Sequence, residues 1–368
     1  MGTAPSPAED PATPPVPPSG IRGGAAGTAV IAGSLLIGLV LAGVGVAGQL
    51  DRAPSVGLTA ILFLLPYLFA GLVAWVFAVW CVLPDRRSPP VVLTVLLLGM
   101  GAVWGPAVSA WPTTPTEDDA VVRVMSWNLR RLWGGPADGG DAGRCVVEAI
   151  EAEAPDVLAL QEVSADNVAM LTEALDLQCV HGTYLAGGGP RRGGLAACVR
   201  REGTASLEDG AVLRFVDDED WNYVRSEVAV GGRRLNLLAV HLTPYHTPFG
   251  RNSRPSEEAA AAERTAQGQA NQSAALLERV AKFRDPTVVA GDFNSTRDFY
   301  LHAALRQHLT DTWESGGLGI GATKMAMDWL PLRIDYVYAS PSFGVAGTRV
   351  AGPGCSDHRA VVTDLILE

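Results

Sequence analysis

The chain has 368 residues and a formal net charge of −11, and its composition changes so sharply along its length that it must be read in parts. Basic and acidic residues balance before Trp111, so the whole net charge lies in the part that follows. An acidic surface of this kind repels polyanions, which argues against tight non-specific binding of nucleic acid.

Two segments precede the acidic part. Residues 1–24 are rich in Pro, Ala, Ser and Thr, and we predict a disordered tail there because they offer little apolar surface to bury. Residues 25–110 contain three apolar stretches near the length of about 20 residues that crosses a bilayer, namely Gly27–Gly48, Gly57–Leu83 and Val91–Ala110. We therefore predict three transmembrane helices, with the lipid bilayer as a partner. A buried bundle in a soluble protein, or a cleavable signal peptide for the first stretch, is the less favoured alternative.

The basic residues that flank these stretches predict their orientation. Arg22 precedes the first stretch and Arg86 and Arg87 lie between the second and third, whereas Arg52 is the one basic residue of the first loop. Since basic flanks stay in the cytoplasm, the N-terminus is expected there. Three crossings then predict a multi-pass protein of the cell membrane whose C-terminal domain is extracellular.

After a linker at residues 111–120, residues 121–368 have the size of one globular domain. Its predicted strands are Val121–Trp127, Val157–Gln161, Leu195–Arg200, Ser226–Val230, Leu235–His241, Pro286–Ala290, Ile334–Ala339 and Ala360–Leu365. Its predicted helices are Ala142–Glu153, Ser164–Ala174 and Ser256–Phe283. Because several strands follow one another without a helix, the pattern favours mixed sheets in a layered α/β sandwich. The four cysteines of the domain permit disulfides without establishing them: Cys145, Cys179, Cys198 and Cys355.

Several predicted strands run directly into a polar residue, and such strand ends commonly form clefts. Asn128, Glu162 and Asp357 supply the amide and carboxylate oxygens that Mg²⁺ or Mn²⁺ prefers, so we predict that they bind a divalent cation. Each residue alone is more commonly a cap or turn residue. Their joint occurrence with further polar motifs favours a site.

Two further motifs indicate phosphate chemistry. In Asp292-Phe293-Asn294, extended geometry places both polar side chains on one face of the strand, where one orients water and the other holds phosphate. His358 follows Asp357, and its imidazole suits a phosphoryl oxygen if Asp335 keeps it charged and oriented.

Six segments together resemble the ordered motifs of the endonuclease/exonuclease/phosphatase superfamily: SWNLRRL (Ser126–Leu132), DVLALQEV (Asp156–Val163), LLAVHL (Leu237–Leu242), VVAGDFNS (Val288–Ser295), RIDYVYAS (Arg333–Ser340) and GCSDHRAV (Gly354–Val361). That superfamily includes deoxyribonucleases, apurinic endonucleases, neutral sphingomyelinases and inositol-polyphosphate phosphatases. The resemblance implies a four-layer α/β/β/α sandwich of two mixed sheets, here preceded by three transmembrane helices.

The resemblance also implies roles for single residues. Asn128, Glu162 and Asp357 correspond to metal ligands, Asp292 to the residue that activates water, and Asn294 to its orienting partner. The remaining roles fall to histidines and a carboxylate: His241 on the phosphate side, and Asp335 paired with His358. These roles imply in-line attack of water on a metal-bound phosphodiester, for which nucleic acid is one candidate.

One departure leaves the substrate open. The deoxyribonucleases carry a Tyr and a Glu where this chain reads Arg191-Arg192-Gly193-Gly194-Leu195, so His241 lacks that carboxylate partner. Arg191 and Arg192 instead suit a substrate anion or ordinary solvated surface. The alternatives are a lipid or small-metabolite phosphatase or phosphodiesterase, and an inactive membrane binding module. No protein partner can be inferred.

Overall fold

The computed structural model describes residues 21–82, 92–98, 111–117, 119–132, 140–183, 193–216, 221–245, 255–351 and 355–367. The helices are α1 (Ile21–Leu50), α2 (Val56–Val82), α3 (described at residues 92–98), α4 (Gly140–Glu153), α5 (Ala165–Leu175), α6 (Pro255–Lys282), α7 (Tyr300–Leu305) and α8 (Thr312–Gly316). A single 3₁₀ turn, Arg130–Leu132, is described as well. Residues 1–20 of the predicted tail lie outside the described residues, and α1 begins four residues before the predicted end of that tail.

The strands are β1 (Ala120–Asn128), β2 (Val157–Val163), β3 (Leu177–Thr183), β4 (Gly194–Arg200), β5 (Ala205–Arg214), β6 (Asn222–Val230), β7 (Arg233–His241), β8 (Thr287–Asp292), β9 (Thr310–Asp311), β10 (Lys324–Ala326), β11 (Leu330–Leu332), β12 (Asp335–Ala339), β13 (Phe343–Ala351) and β14 (Ala360–Leu367). Two six-stranded sheets have the orders β13-β14-β1-β2-β4-β3 and β5-β6-β7-β8-β12-β9, and β10 pairs with β11. Within the described pairs, β1–β2 and β7–β8 are parallel and the rest are antiparallel, so both sheets are mixed.

Three apolar clusters show how the layers stack. Between the sheets lie inward-facing strand residues such as Val124 and Leu237. Under α4 and α5, the opposite face of the first sheet packs on residues such as Ile150. Under α6 and α7, the outer face of the second sheet packs on residues such as Leu276 and Leu301. This arrangement confirms the layered α/β prediction, because alternate strand residues face alternate layers.

The helices α1 and α2 contain the two described segments, Ala29–Leu50 and Val56–Val82, that are long and apolar enough to cross a bilayer. The sequence predicted three such helices. The third, Val91–Ala110, falls mostly outside the described residues, which show only residues 92–98 as helical. Leu96 of this short piece lies where it would meet a side chain added at Gly38 of α1, so α3 packs on α1.

The first turns of α2 also pack on the C-terminal domain. Leu62 and Phe299 share one apolar cluster, and the Tyr67 hydroxyl donates a hydrogen bond to the carbonyl of Pro331. Near the end of α1, a side chain added at Gly48 would lie 2.9 Å from the carbonyl oxygen of Asp298. The α1–α2 loop and the domain therefore lie at the same end of the two helices.

The four domain cysteines pair as Cys145–Cys355 and Cys179–Cys198. The first disulfide ties α4 to the segment that precedes β14, and the second joins adjacent residues of β3 and β4. In the described part of the chain, Cys81 of α2 is a free and exposed cysteine. The sequence left open whether these four cysteines pair, and in this structure all four do.

Candidate active site

The polar ends of five strands meet at one edge of the two sheets. Parallel pairing places Asn128 of β1 beside Gln161 of β2, and His241 of β7 beside Asp292 of β8. Antiparallel pairing brings Asp335 of β12 opposite Asp292. The cleft between them has a volume of about 350 Å³. Its polar lining comprises Arg130, Glu162, His241, Asp292, Asn294, Lys324 and His358.

Asp292 lies at the centre of this cleft and is buried. Its Oδ2 atom accepts a hydrogen bond of 3.0 Å from Asn128 Nδ2 and lies 3.6 Å from His241 Nε2 and 3.8 Å from His358 Nε2. Burial, followed by the charge of Asp335, raises the pKa of Asp292 above its usual range. The carboxylate is therefore a better proton acceptor than an exposed aspartate.

His358 is held by the neighbouring carboxylate. Its Nδ1 atom lies 2.9 Å from Asp335 Oδ2. Burial alone would lower the pKa of His358, but the charges of Asp335 and Asp292 outweigh it and raise the pKa to about 9. The backbone is fixed too, since Trp127 Nε1 donates to the His358 carbonyl at 3.0 Å. A charged imidazole thus points into the cleft at neutral pH.

His241 has the opposite charge preference. Burial lowers the pKa of His241, so the ring is neutral at pH 7. Its Nε2 atom lies 4.0 Å from Glu162 Oε1, and the Trp221 ring meets it edge-on at a centroid distance of 5.2 Å. The site therefore combines one cationic and one neutral histidine on either side of Asp292.

Glu162 reaches the site through a distortion of β2. The β2–β4 register shifts between Gln161 and Val163, and Glu162 has φ +56°. Such a bulge turns a side chain away from the regular alternation of the strand. Asn128 Nδ2 donates to Glu162 Oε1 at 3.0 Å as well as to Asp292. Asn128 and Glu162, two of the predicted metal ligands, are thereby brought together.

Asn294 lies in the cleft for a different reason from the one that the sequence suggested. Strand β8 ends at Asp292, and Asn294 has the left-handed φ of +50°, so strand alternation does not place it. Its N–H donates to Asp292 Oδ1 at 2.8 Å and its Nδ2 donates to the Leu242 carbonyl at 2.9 Å. A tight turn after β8 therefore presents both side chains together.

Asp357 stands apart from the other predicted metal ligands. Its carboxylate forms an ion pair with the Lys324 ammonium. Burial opposes ionisation of Asp357, but Lys324 outweighs this effect and lowers the pKa of the carboxyl. Binding of a cation through Asp357 would require the ammonium to move away.

The donor set suits a hard divalent cation. Glu162 and Asp292 present two carboxylates that both accept from the Asn128 N–H₂ group. The Asn128 Oδ1 atom accepts from the Arg130 N–H at 3.1 Å, so this amide would have to turn over to offer its oxygen to a cation. A second grouping places ligand atoms of Asp292, Asp335 and His358 within 4.8 Å of one another. Asp335 Oδ1 is buried and accepts no hydrogen bond from the described residues. A cation fits beside Glu162 and Asp292, where it would offset the mutual repulsion of two carboxylates, whereas in the second grouping the charged His358 already supplies that positive charge.

Three cleft residues were not assigned from the sequence. Arg130 lies inside the first motif, SWNLRRL, so its position there was an available signal. Trp221 and Lys324 lie outside the recognised motifs, and no local pattern identified them. Lys324 reaches the site because its backbone pairs with His358. Arg191 and Arg192, considered above as anion ligands, lie outside the described residues.

Comparison with known proteins agrees with this geometry. The model of the Endonuclease/Exonuclease/phosphatase family matches residues 125–358, which include all eight predicted site residues. The chain belongs to this family. Members of the family generally depend on divalent metals, which agrees with the donor set, and the family fold indicates a hydrolase of phosphate esters. No match was found among curated proteins.

Solved structures of the family show the same fold. An endonuclease/exonuclease/phosphatase from Bacteroides vulgatus is 17% identical, with 67% of this chain and 99% of that chain covered and a TM-score of 0.54. A homologue from Beutenbergia cavernae DSM 12333 is 24% identical, with 67% and 72% covered and a TM-score of 0.53. TDP2 from D. rerio, complexed with single-strand DNA product, is 18% identical, with 67% and 99% covered and a TM-score of 0.51.

Proposed function

We propose that this protein is a membrane-anchored, divalent-cation-dependent phosphoesterase that hydrolyses a phosphodiester with an activated water. The observation that carries the proposal is the position of Asp292 among Asn128, His241 and His358, each with a nitrogen within 3.8 Å of its Oδ2 atom. This arrangement provides a buried base beside a cationic group, which is what attack of water on a phosphate ester requires.

Each side chain has a role in this scheme. Asp292 accepts the proton of the attacking water, and Asn294 orients that water through the turn after β8. His358, kept charged by Asp335, donates a hydrogen bond to a phosphoryl oxygen as negative charge develops there. The neutral His241 donates a second hydrogen bond on the phosphate side.

A cation would be held by Asn128 and Glu162, with Asp357 as the further ligand that the family resemblance implies. Mg²⁺ or Mn²⁺ supplies charge neutralisation at the phosphate when bound. An inactive binding module is disfavoured, because all eight polar residues are present and seven of them converge on the cleft.

The membrane anchor is supported by α1 and α2, which are apolar over 22 and 27 residues. If α3 crosses as well, the α1–α2 loop and the domain share one side of the bilayer, which agrees with the contact between Gly48 and Asp298. Two disulfides support an oxidising, extracellular setting for the domain, because thiols stay reduced in the cytosol.

The test is a substrate panel with the full-length protein in nanodiscs. Single-stranded DNA, RNA, a phospholipid, a sugar phosphate and a soluble aryl phosphodiester are each assayed with Mg²⁺, with Mn²⁺ and with chelator. We expect hydrolysis of at least one phosphodiester, lost with chelator and absent in Asp292→Asn. Activity that persists in excess chelator, or equal activity of Asp292→Asn, would contradict the proposal. Nucleic acid remains the alternative substrate, because the D. rerio TDP2 structure contains single-strand DNA product.

A further inference from the structure

The small hairpin β10–β11 connects the proposed anchor to the active site. On one side, Leu330 and Leu332 pack against Phe63 and Tyr67 of α2. On the other side, the backbone of β10 pairs with the catalytic segment at His358 and Arg359 N–H donates to the Thr323 carbonyl at 2.7 Å. The hairpin is therefore bonded both to a candidate transmembrane helix and to the segment that carries the cationic imidazole.

The outer surface of this hairpin is apolar. Met325, Met327 and Trp329 are 48%, 52% and 66% exposed, and Leu318 and Ile320 in the segment leading into β10 are exposed as well. Large apolar side chains clustered in this way on a protein surface mark a contact with a membrane or a partner. Lys324 is engaged by Asp357, so Asp328 at the tip is the one charged side chain of the hairpin that faces outward.

The backbone of the hairpin turn does not account for the methionine at position 327. Met327 and Asp328, in the three-residue loop 327–329 between the paired residues Ala326 and Leu330, have φ values of +52° and +64°, a left-handed conformation that favours Gly, Asn and Asp. Methionine at the first of these positions is therefore disfavoured by the backbone and gains nothing from the core. Contact with an apolar environment outside the domain gives this residue a physical reason.

The contact with α2 sets the depth of the hairpin. Helix α2 has 27 residues, so it is about 40 Å long and exceeds the hydrocarbon layer of about 30 Å by about 10 Å. Tyr67, which bonds to Pro331, lies about 16 Å along the helix from Val56. If all of this excess length extends out of the hydrocarbon layer on the domain side, Pro331 still lies about 6 Å inside the layer. Side chains that point outward from the hairpin then meet lipid.

We propose that the hairpin β10–β11, with its exposed residues Met325, Met327 and Trp329, inserts into the bilayer beside α2, so that the substrate is a phosphate ester of a membrane lipid. The occupant of the apolar surface is the lipid layer itself, since this surface is continuous with the α2 contact. Methionine and tryptophan suit the boundary region, and Asp328 keeps the insertion shallow. This inference rests on the proposed function and names its substrate class.

Insertion is tested with a fluorescent label in the full-length chain. In a Cys81→Ala background, Met327→Cys is labelled with an environment-sensitive thiol dye and placed in phosphatidylcholine nanodiscs with or without brominated acyl chains. We expect the label at residue 327 to be quenched at least about twofold by the brominated lipid. Val212→Cys is the matched control, because Val212 is an exposed apolar residue on β5, the edge strand of the second sheet opposite β9. Equal quenching at both positions, or quenching at neither, would overturn the proposed insertion. Quenching at neither position is the result expected if a second copy of the chain, and not lipid, covers the hairpin.

The substrate class is tested with the double variant Met327→Ser/Trp329→Ser. Its kcat/KM is measured on phosphatidylcholine–phosphatidylglycerol vesicles and on soluble bis(p-nitrophenyl) phosphate. We expect a loss of at least about tenfold on vesicles and less than about twofold on the soluble ester. A wild type that cleaves the soluble ester or DNA but not vesicle lipid would overturn the lipid assignment alone. A wild type that cleaves no phosphate ester would instead contradict the proposed function, while the quenching result would still decide the insertion.

Discussion

The Cys145–Cys355 disulfide should affect activity more than the Cys179–Cys198 disulfide, because it anchors the catalytic segment. Cys355 precedes Ser356, whose hydroxyl donates to the Asn128 carbonyl at 2.7 Å, and His358 follows two residues later. Cys179 and Cys198 face each other on strands that are already paired, and neither strand carries a proposed catalytic side chain.

The expected loss of stability follows from the loop that each bridge closes. The two bridges have sequence separations of 210 and 19 residues. The chain-entropy relation then gives about 5 kcal/mol for the first bridge and about 3 kcal/mol for the second. Both double variants should therefore unfold at lower denaturant concentration, and Cys145→Ala/Cys355→Ala should lose more.

The assay combines denaturant unfolding with the initial rate on a soluble phosphodiester, at denaturant-free conditions where both variants remain folded. We expect Cys145→Ala/Cys355→Ala to lose about tenfold or more in kcat, because a misplacement of about 1 Å at the site is enough for such a loss. Cys179→Ala/Cys198→Ala should stay within about twofold of the wild type. Wild-type kcat in the first variant, or an equal loss in both, would refute the view that the bridge positions the catalytic segment.

Three further predictions concern catalysis, pH and topology. Asp292→Asn and His358→Ala should each lower turnover by at least about a hundredfold while leaving the unfolding transition in place, as measured by steady-state rates and circular dichroism. Burial lowers the pKa of His302 well below 6.5, so below about pH 6.5 the unfolded state binds more protons than the folded state. The free energy of unfolding should therefore fall as the pH drops below about 6.5. In His302→Gln the free energy of unfolding should fall less between about pH 7 and pH 5. Protease added to intact cells should digest the domain beyond Trp111, and protection of a C-terminal tag until the membrane is permeabilised would contradict the extracellular orientation.

The sequence predicted the buried strands and the long helix well, because their residues have strong periodic patterns. The helix predicted at Ser256–Phe283 is observed at Pro255–Lys282. The strands at the four sheet edges, β3, β5, β9 and β13, were missed; most residues of β5, for example, are exposed and alternate weakly. The three-residue strands β10 and β11 are too short for any periodicity.

Most of the candidate site was also predictable, but its geometry was not. The residues His241 and Asp335 were identified from the family motifs and from their positions at strand ends. The bulge at Glu162 and the left-handed turn at Asn294 depend on pairing with other strands, which single-sequence patterns do not contain. Lys324 escaped notice because tertiary pairing with His358, and no local motif, brings it to the site.

Hydrolysis in ¹⁸O-enriched water tests most directly whether this cleft activates water for attack on phosphorus. The full-length protein in nanodiscs is supplied with Mg²⁺ and a soluble phosphodiester, and the ¹⁸O content of the phosphate product is measured by mass spectrometry. We expect one ¹⁸O atom per turnover in the phosphate product, and no labelled product above background with Asp292→Asn. Label in the alcohol product, or equal incorporation by Asp292→Asn, would contradict it.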